Sequence, residues 1–183
     1  MNPQKVVQAT RRWVQDVVID LNLCPFARRE LVNDRIRFSV SEADTEDSLL
    51  ADLQRELLLL TDDDSIETTL LVHPAVLQDF HDYNDFLAVT DGLIQALDLE
   101  GIFQIASFHP QYQFADTNAD AAENYTNRSP YPMLHLLREA SLERAIDAYP
   151  DTDAIPERNI QRVTALGRPA MAALLAGCQQ GDQ

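Results

Sequence analysis

The spacing of hydrophobic residues predicts three helices in the first half of the chain. Asn2 is a typical cap for a helix that opens with Pro3, and apolar residues then recur every three or four positions as far as Leu21. A second stripe begins after Thr45, where acidic side chains suit the positive end of a helix dipole. A third covers residues 76–97. Each stripe would bury one face of its helix and leave the other in water.

Three further segments have the patterns of β-strands. Residues 35–41 alternate apolar with polar side chains, which is typical of a half-buried strand. Residues 68–72 form a β-branched and leucine run that fits a strand buried on both faces, and residues 102–108 predict a third strand. An alternative adds a short strand within residues 27–33, paired antiparallel with 35–41.

Strands that alternate with helices predict an α/β fold. This order needs crossover connections, which produce parallel strand pairs. We therefore expect a three-layer sandwich with a small, mainly parallel sheet of three to four strands and helices on both faces. The half-buried strand at 35–41 belongs at an edge of this sheet, and the apolar strand at 68–72 belongs near its centre.

The C-terminal part of the chain begins with an aperiodic segment, residues 109–131. Ser129 and Pro130 are typical of a helix start. They predict a fourth helix that Pro150 stops and that carries Leu134, Leu137, Leu142 and Ile146. A last helix follows a cap at Asp153.

Length and composition fit one folded domain. The chain has 183 residues, 45% of them hydrophobic and 24% charged, which argues against disorder and against a disulfide-rich class. We expect a single domain over residues 1–167 and a loosely ordered tail over 168–183. The formal net charge of −16 would repel phosphate backbones and anionic lipids, so neither nucleic acid nor a membrane is an expected partner. Two cysteines and no recognisable secretion signal predict a reducing cytoplasmic location.

Two histidines follow predicted strands directly, and each has a proline after it. His73 ends the second strand and His109 the third. In open parallel sheets ligands gather outside the carboxyl ends of the strands. Both imidazoles are therefore predicted to face one crevice and to act as catalytic acid, base or metal ligands. The alternative is structural, because a proline cannot continue a strand ladder and each His-Pro pair would merely end a strand.

A metal site would need a third ligand beside the two histidines. Cys24, after the first helix, is the tentative third ligand, and Glu42 is the other candidate. Two imidazoles with a thiolate or carboxylate suit zinc or another divalent transition metal, whose bound water would be the nucleophile. Cys24 is otherwise a plain core thiol, because the C-terminal end of a helix raises a thiol pKa.

The aperiodic segment is rich in aromatic and hydrogen-bonding side chains. Long loops of this kind in compact domains usually carry function. Backbone N–H groups at a helix start beside an arginine form a receptor for carboxylate or phosphate, so we predict ligand binding by Tyr112, Asn124, Arg128, Ser129 and Tyr131. The alternative is that Ser129 only caps a helix, Arg128 pairs with a surface carboxylate and the tyrosines fill the core.

Five stretches of the sequence carry a resemblance to one known family: NLCPFARRE, TTLLVHP, YNDFL, IASFHPQYQF and ENYTNRSPYPMLHLLREAS. Together they are similar to a bacterial family of uncharacterised proteins, domain of unknown function 1415, over roughly residues 10–167. The blocks around His109 and around NRSPYP are the distinctive ones. The resemblance implies a bacterial, cytoplasmic, single-domain protein and assigns no reaction, cofactor or catalytic residue.

Common cofactor and nucleophile motifs are absent from the sequence. It lacks a glycine-rich phosphate loop, a Cys-x-x-Cys pair, a helical His-Glu-x-x-His and a nucleophile elbow. Hydrolysis or group transfer is therefore favoured over redox chemistry. We expect a hydrolase or transferase that acts on a small polar or anionic metabolite, with or without a metal. The alternative is a non-catalytic module that binds a small ligand or a partner protein. The sequence leaves the oligomeric state open.

Overall fold

One open four-stranded sheet organises the fold, which is mixed α/β. The computed structural model describes residues 1–149 and 151–180. The sheet has the order β1-β2-β4-β3, with strands β1 (Ile36–Val40), β2 (Thr68–Val72), β3 (Phe103–Phe108) and β4 (Met133–Arg138). β1 and β2 are parallel, whereas β4 is antiparallel to both of its neighbours. The sheet is therefore mixed, and the prediction of a mainly parallel sheet is wrong.

Seven α-helices occur in the described part of the chain. They are α1 (Pro3–Arg12), α2 (Ala27–Val32), α3 (Glu46–Asp62), α4 (Phe80–Ala96), α5 (Glu139–Ala148), α6 (Ile155–Leu166) and α7 (Arg168–Gln179). A π-helical stretch over Trp13–Ile19 continues α1. Short 3-10 helices cover Ala122–Thr126 and Thr152–Ala154.

The caps explain where the first three long helices begin. Asn2 accepts the backbone N–H of Gln4 at 2.9 Å, and Thr45 forms a capping box with Ser48, so both predicted starts are confirmed. α4 begins later than its hydrophobic stripe, directly after Asp79, whose carboxylate accepts the first helical N–H groups. The helix cannot extend back to residue 76, because Leu77 has a left-handed φ of 55°.

β4 replaces the first part of the predicted fourth helix. The helix predicted from Ser129 and Pro130 is wrong, because residues 133–138 pair with both β2 and β3. Along β4 the side chain of Met133 joins one hydrophobic cluster, whereas Leu134 and Leu136 join the other, which is the alternation of a strand. The helical part follows as α5, which carries Leu142 and Ile146. Pro150, the predicted stop, lies outside the described residues.

Buried side chains form two hydrophobic clusters that meet at the sheet. The first unites α3 and α4 with Leu71 of β2. The second unites α1, its π-helical extension, α6 and α7 with Leu70 and Val72 of the same strand. β2 thus sends alternate side chains to the two clusters, as expected of a strand buried on both faces. The strand order confirms the predicted edge position of β1 and the inner position of β2.

The two remaining segments are helical. Residues 27–33, the alternative site of an extra strand, contain α2 instead. Residues 168–183 were expected to be loosely held, but α7 covers Arg168–Gln179, and its Met171 and Cys178 are buried. Residues 181–183 of the predicted tail lie outside the described residues. Arg12 donates two hydrogen bonds to the carbonyl of Cys178, at 2.7 and 2.9 Å. Over the described residues no helix is long and apolar enough to cross a lipid bilayer.

Candidate functional site

The two predicted catalytic histidines lie at the same end of the sheet. β1, β2 and β3 finish at this end and β4 begins there, because Val72 and Phe108 are both paired with Met133. His73 and His109 follow β2 and β3 directly, and β4 separates them. We call this the carboxyl end of the sheet. Adjacent strands lie about 4.8 Å apart, so the two histidine backbones stand about 10 Å from each other.

His73 is fully buried, and one of its ring nitrogens has no partner. Nδ1 donates to the carbonyl of Val76 at 3.0 Å, and the backbone N–H donates to the carbonyl of Pro132 at 3.0 Å. Nε2 is buried without a hydrogen bond to any described residue. Burial lowers the pKa of His73 to about 4, so the ring is neutral at pH 7.

His109 is buried as well, but both of its ring nitrogens are engaged. Nε2 donates to the carbonyl of Leu77 at 3.2 Å, and Nδ1 accepts the backbone N–H of Gln111 at 3.0 Å. These partners assign the neutral tautomer with its hydrogen on Nε2. Burial lowers the pKa of His109 too. His109 therefore offers no lone pair to a substrate or a metal.

The two carbonyls that accept these bonds are neighbours in one tight loop. Val76 and Leu77 lie between β2 and α4, and the φ of Leu77 falls in the left-handed region. A side chain in that region costs about 1–2 kcal/mol, so the loop needs support from its surroundings. His73 and His109 hold the loop, residues 74–79, against the carboxyl end of the sheet. This geometry is that of two structural clamps.

Tyr83 of α4 packs against both imidazoles. Its ring centroid lies 5.8 Å from that of His73 and 5.1 Å from that of His109. The hydroxyl accepts the backbone N–H of Phe108 at 3.1 Å and donates to the carbonyl of Met133 at 2.8 Å. The last residue pair of β3 and β4 is thus joined through a side chain. Burial raises the pKa of Tyr83, which keeps the hydroxyl protonated.

The segment between β3 and β4 turns its amide side chain inward. Asn124 is fully buried. It accepts the backbone N–H of Phe114 and the hydroxyl of Thr117, both at 3.0 Å, and it donates to the carbonyl of Asn118 at 2.8 Å. Asn124 therefore fixes the shape of the segment, and its polar atoms are occupied by the protein itself.

Arg128 is also engaged by its own segment. Its guanidinium donates to the carbonyls of Tyr112 at 3.2 Å and Ala119 at 2.8 Å, and it lies over the ring of Tyr125 at 4.7 Å. The backbone carbonyl of Arg128 accepts the indole N–H of Trp13 at 3.1 Å. These contacts account for the position of the Arg128 guanidinium without the predicted ligand and without the alternative, an ion pair at the surface.

The predicted anion receptor at a helix start does not form around Ser129. This residue leads into β4, and its hydroxyl donates to the carbonyl of Tyr131 at 2.7 Å. Tyr131 is half-buried and packs against the second hydrophobic cluster. The ring of Tyr112 packs on Phe80 at 5.1 Å and on Phe114 at 4.9 Å. The five predicted ligand residues lie in one segment, and their contacts are those of a packed, self-bonded loop.

Cys24 is separated from the two histidines. Phe26, two residues further on, lies beside Gln104 of β3 and Glu139, which follows β4, at the end of the sheet opposite the carboxyl end. Within the described residues, no group of three His, Cys, Asp or Glu side chains is placed to hold a metal ion. Cys24 is half-buried, and burial raises the pKa of its thiol, which fits the alternative of a core thiol.

A small polar pocket lies between the end of the first helical segment and α6. Its lining residues are Asn22, Pro25, Tyr149, Ile155, Arg158, Asn159 and Arg162, and we call it the arginine pocket. It has a volume of about 40 Å³. Asn159 is held in place by a hydrogen bond from its side-chain N–H to the carbonyl of Leu23 at 2.7 Å.

A larger and more open cleft adjoins the arginine pocket. Its volume is about 600 Å³, and its lining includes the apolar side chains of Phe26, Leu142, Ile146, Ile155 and Pro156 and the carboxylates of Glu139, Glu143 and Asp153. We call it the acidic cleft. Ile155 lines both depressions, and the ring of Phe26 packs edge-on against Tyr149 with centroids 5.6 Å apart.

Sequence reasoning missed Tyr83 and the arginine pocket. Tyr83 looked like one more member of a helical stripe, and no local pattern reveals that its hydroxyl bridges two strands. Arg158 and Arg162 lie four residues apart on one helix, a spacing that places them on the same face. That spacing was the one available signal for the pocket.

Comparison with known proteins gives one match. The sequence model of a family described as "Protein of unknown function (DUF1415)" matches residues 5–173. No curated protein matches the chain, and no solved structure does either.

Proposed function

The chain belongs to the DUF1415 family of proteins of unknown function. From the geometry of its side chains, we propose that it is a non-catalytic binding module. Its ligand is a small anion that binds in the arginine pocket. This proposal adopts the binding alternative of the sequence and moves the site away from the carboxyl end of the sheet. The histidines and loop residues at that end are engaged by backbone groups. In the arginine pocket Arg158 donates to the carbonyl of Asp151 at 3.5 Å and lies over the ring of Tyr149 at 5.9 Å, but neither Arg158 nor Arg162 has a carboxylate partner among the described residues.

The proposal is carried by the lack of a carboxylate partner for Arg158 and Arg162 in the described part of the chain. Ion pairs join most arginines of the described residues to carboxylates, but these two have none there. The chain has a net charge of −16, so acidic partners are plentiful. Two like charges that line one small space repel each other unless an anion lies between them.

The size and donors of the pocket define the ligand group. Arg158, Asn159 and Arg162 supply planar N–H donors, which suit the oxygens of a carboxylate or phosphate. A volume of about 40 Å³ admits one such group but no larger metabolite. The remainder of the ligand must therefore lie outside the pocket.

Titration with inorganic phosphate and with acetate tests the proposal. We expect saturable shifts of the backbone NMR signals of α6 in ¹⁵N-labelled protein. The double variant Arg158→Gln/Arg162→Gln should weaken binding at least about tenfold, because a charge-assisted hydrogen bond contributes about 1.5–3 kcal/mol.

Arg144→Gln is the matched control, since Arg144 is an exposed arginine of α5 whose guanidinium donates a hydrogen bond to the hydroxyl of Ser141 and has no carboxylate partner in the described chain. Its affinity for either anion should equal that of the wild type. Absence of saturation by both anions, or equal weakening by the Arg144 variant, contradicts the proposal.

The unpartnered Nε2 of His73 favours a second candidate function, the hydrolase or transferase expected from the sequence. A buried neutral imidazole is a potential general base, and a strained loop beside it is a feature of some functional sites. The substrate would be a small polar or anionic metabolite that displaces residues 74–79. The metal-assisted form, with zinc or another divalent ion on His73, His109 and Cys24, has no support in the geometry.

Turnover of p-nitrophenyl acetate and p-nitrophenyl phosphate distinguishes this candidate from the clamp role. A catalytic His73 predicts that His73→Gln loses at least about 100-fold in rate while its melting temperature stays near that of the wild type. If His73→Gln and His109→Gln both lose several kcal/mol of stability and the wild type shows no turnover, the histidines are structural and the candidate fails.

The proposal also covers the layering of the fold and the cellular location. We place helices on both faces of the sheet, as a three-layer sandwich, because the two hydrophobic clusters each combine strand and helix residues. The free thiols of Cys24 and Cys178 support a reducing cytoplasmic location.

A further inference from the structure

We propose that the ligand of this module is the C-terminal segment of a partner protein, with its α-carboxylate in the arginine pocket and its preceding apolar and basic residues in the acidic cleft. The inference rests on the proposed function and extends it from a small anion to a peptide. In this proposal one ligand occupies both the arginine pocket and the acidic cleft, which have opposite charge and share Ile155 in their linings.

The continuity of the two depressions is the first support. Ile155 lines both of them, and the consecutive residues Pro25 and Phe26 line one each. Phe26 of the acidic cleft packs edge-on against Tyr149 of the arginine pocket, so the two linings are also in contact through aromatic rings. One elongated ligand that lies across Ile155 can therefore contact both depressions.

The second support is the charge of the cleft. Glu139, Glu143 and Asp153 form no ion pair with any described residue, so their carboxylates are available to a cation. The side chain of Ile146 is 50% exposed, and it lies with Leu142 and Pro156 along the apolar part of the lining. The complementary ligand is apolar and cationic, whereas the arginine pocket requires an anion.

The volumes of the two depressions favour a peptide ligand over a small zwitterion. A cleft of about 600 Å³ lies in the range that encloses a drug-sized molecule, whereas the arginine pocket admits one carboxylate. A chain terminus supplies these features together: one carboxylate at its end, then side chains spaced by about 3.3–3.6 Å per residue that can alternate apolar and basic. Capture of a terminal carboxylate is a recurring mode of peptide recognition.

Fluorescence anisotropy tests the inference with an N-terminally labelled hexapeptide of sequence GKLKVL and a free carboxylate. We expect saturable binding by the whole chain. Amidation of the C terminus should weaken binding about tenfold or more, and so should replacement of both lysines by glutamate. Arg158→Gln/Arg162→Gln should abolish the preference for the free carboxylate, and Glu139→Gln/Glu143→Gln should abolish the preference for lysine.

Asp82→Asn/Asp85→Asn, which removes two exposed carboxylates of α4, is the matched control and should bind like the wild type. Equal affinity for the amidated and free peptides overturns the inference, as does equal affinity for the lysine and glutamate peptides. If phosphate binds at α6 and none of the peptides does, the proposed anion site stands and the peptide inference fails. If neither phosphate nor peptide binds, both fail.

Discussion

Tyr83 joins the ends of two strands through one hydroxyl group. Its hydroxyl accepts the N–H of Phe108 and donates to the carbonyl of Met133, while its ring packs against those of His73 and His109. A tyrosine in this position connects the sheet, α4 and both histidines. Its hydroxyl therefore contributes more to stability than the hydroxyl of a tyrosine at the surface.

Tyr83→Phe should lower the free energy of unfolding by about 2 kcal/mol, because two buried backbone groups lose their partner. Tyr112→Phe is the control, since the Tyr112 hydroxyl makes no hydrogen bond with a described residue and should change stability by less than about 0.5 kcal/mol. Urea unfolding monitored by circular dichroism measures both. Equal losses in the two variants would show that the bridge contributes nothing.

The buried His73 makes stability depend on pH. Its pKa is about 4 in the folded chain against 6.5 for a model histidine, so between these values the unfolded chain binds a proton that the folded chain does not. Stability is complete above pH 6.5 and falls as the pH drops toward 4. The contribution of one such histidine reaches about 1.4 kcal/mol per pH unit.

Urea unfolding at pH 7, 6 and 5 should therefore give a shallower pH slope for His73→Gln than for the wild type. Comparison of slopes removes any constant loss from the missing clamp. The exposed His81→Gln serves as the reference variant. A slope for His73→Gln as steep as that of the His81 variant would contradict the buried neutral state of His73.

Local pattern predicted where the histidines sit along the chain but not what their nitrogens contact. The His-Pro pairs mark strand ends because proline breaks a ladder, and the structure places both at the carboxyl end of the sheet. Their partners, Val76 and Leu77, depend on a loop whose left-handed leucine no hydrophobic period reveals. The clamp role is therefore visible in three dimensions alone.

Arg138 ties the end of α3 to β4. Its side chain is 17% exposed, and its guanidinium donates to the carbonyls of Leu60, Asp63 and Ile66. The carbonyls of Leu60 and Asp63 lie at the end of α3, where a helix leaves acceptors without internal partners, and that of Ile66 lies in the turn before β2. One side chain thus connects the helix end, the turn before β2 and the final residue of β4.

Arg138→Gln should lower the free energy of unfolding by about 2–3 kcal/mol, because three carbonyl acceptors lose a charged donor. Arg144→Gln, which removes an exposed arginine from α5, should stay within about 0.5 kcal/mol of the wild type. Thermal unfolding of both variants in the same buffer measures the difference. A loss in the Arg138 variant no larger than in the control would contradict the link.

At the level of elements, the hydrophobic period predicted β1, β2 and β3 close to their observed bounds, and it predicted where α3 begins. The hydrophobic period failed for β4, because Leu134 and Leu137 have the spacing of a helix. The same segment also suits a strand, in which Met133 faces one hydrophobic cluster and Leu134 and Leu136 face the other. Tertiary pairing makes this segment a strand, since β4 pairs with both β2 and β3. The pattern of a short apolar segment does not reveal which strands it will pair with in the folded protein.

α7 closes the second hydrophobic cluster. Met171 and Cys178 are buried in it beside Val6 and Val163, and Arg12 binds the carbonyl of Cys178. Its small residues suggested a loose tail, yet its two buried residues, Met171 and Cys178, lie seven positions apart and so share one helical face. The fold as a whole therefore extends past Gly167.

Removal of residues 168–183 should lower the free energy of unfolding by about 3–6 kcal/mol, because burial of a methionine-sized side chain contributes about 1.5–3 kcal/mol. Differential scanning calorimetry of the shortened and full chains measures this loss. A melting temperature unchanged by the deletion would show that α7 does not stabilise the domain. Met171→Ala in the full chain separates the effect of burial from that of chain length.

The inner position of β4 has a consequence for synthesis on the ribosome. Within the part of the chain that the structure describes, β3 pairs with no strand but β4, and β4 also pairs with the side of β2 that faces away from β1. Translation proceeds from the N terminus, so β2 and β3 emerge with exposed backbone donors and acceptors until residue 138 follows. A nascent chain stalled before Met133 would present two open strand edges, the kind of surface that chaperones must shield from neighbouring polysomes.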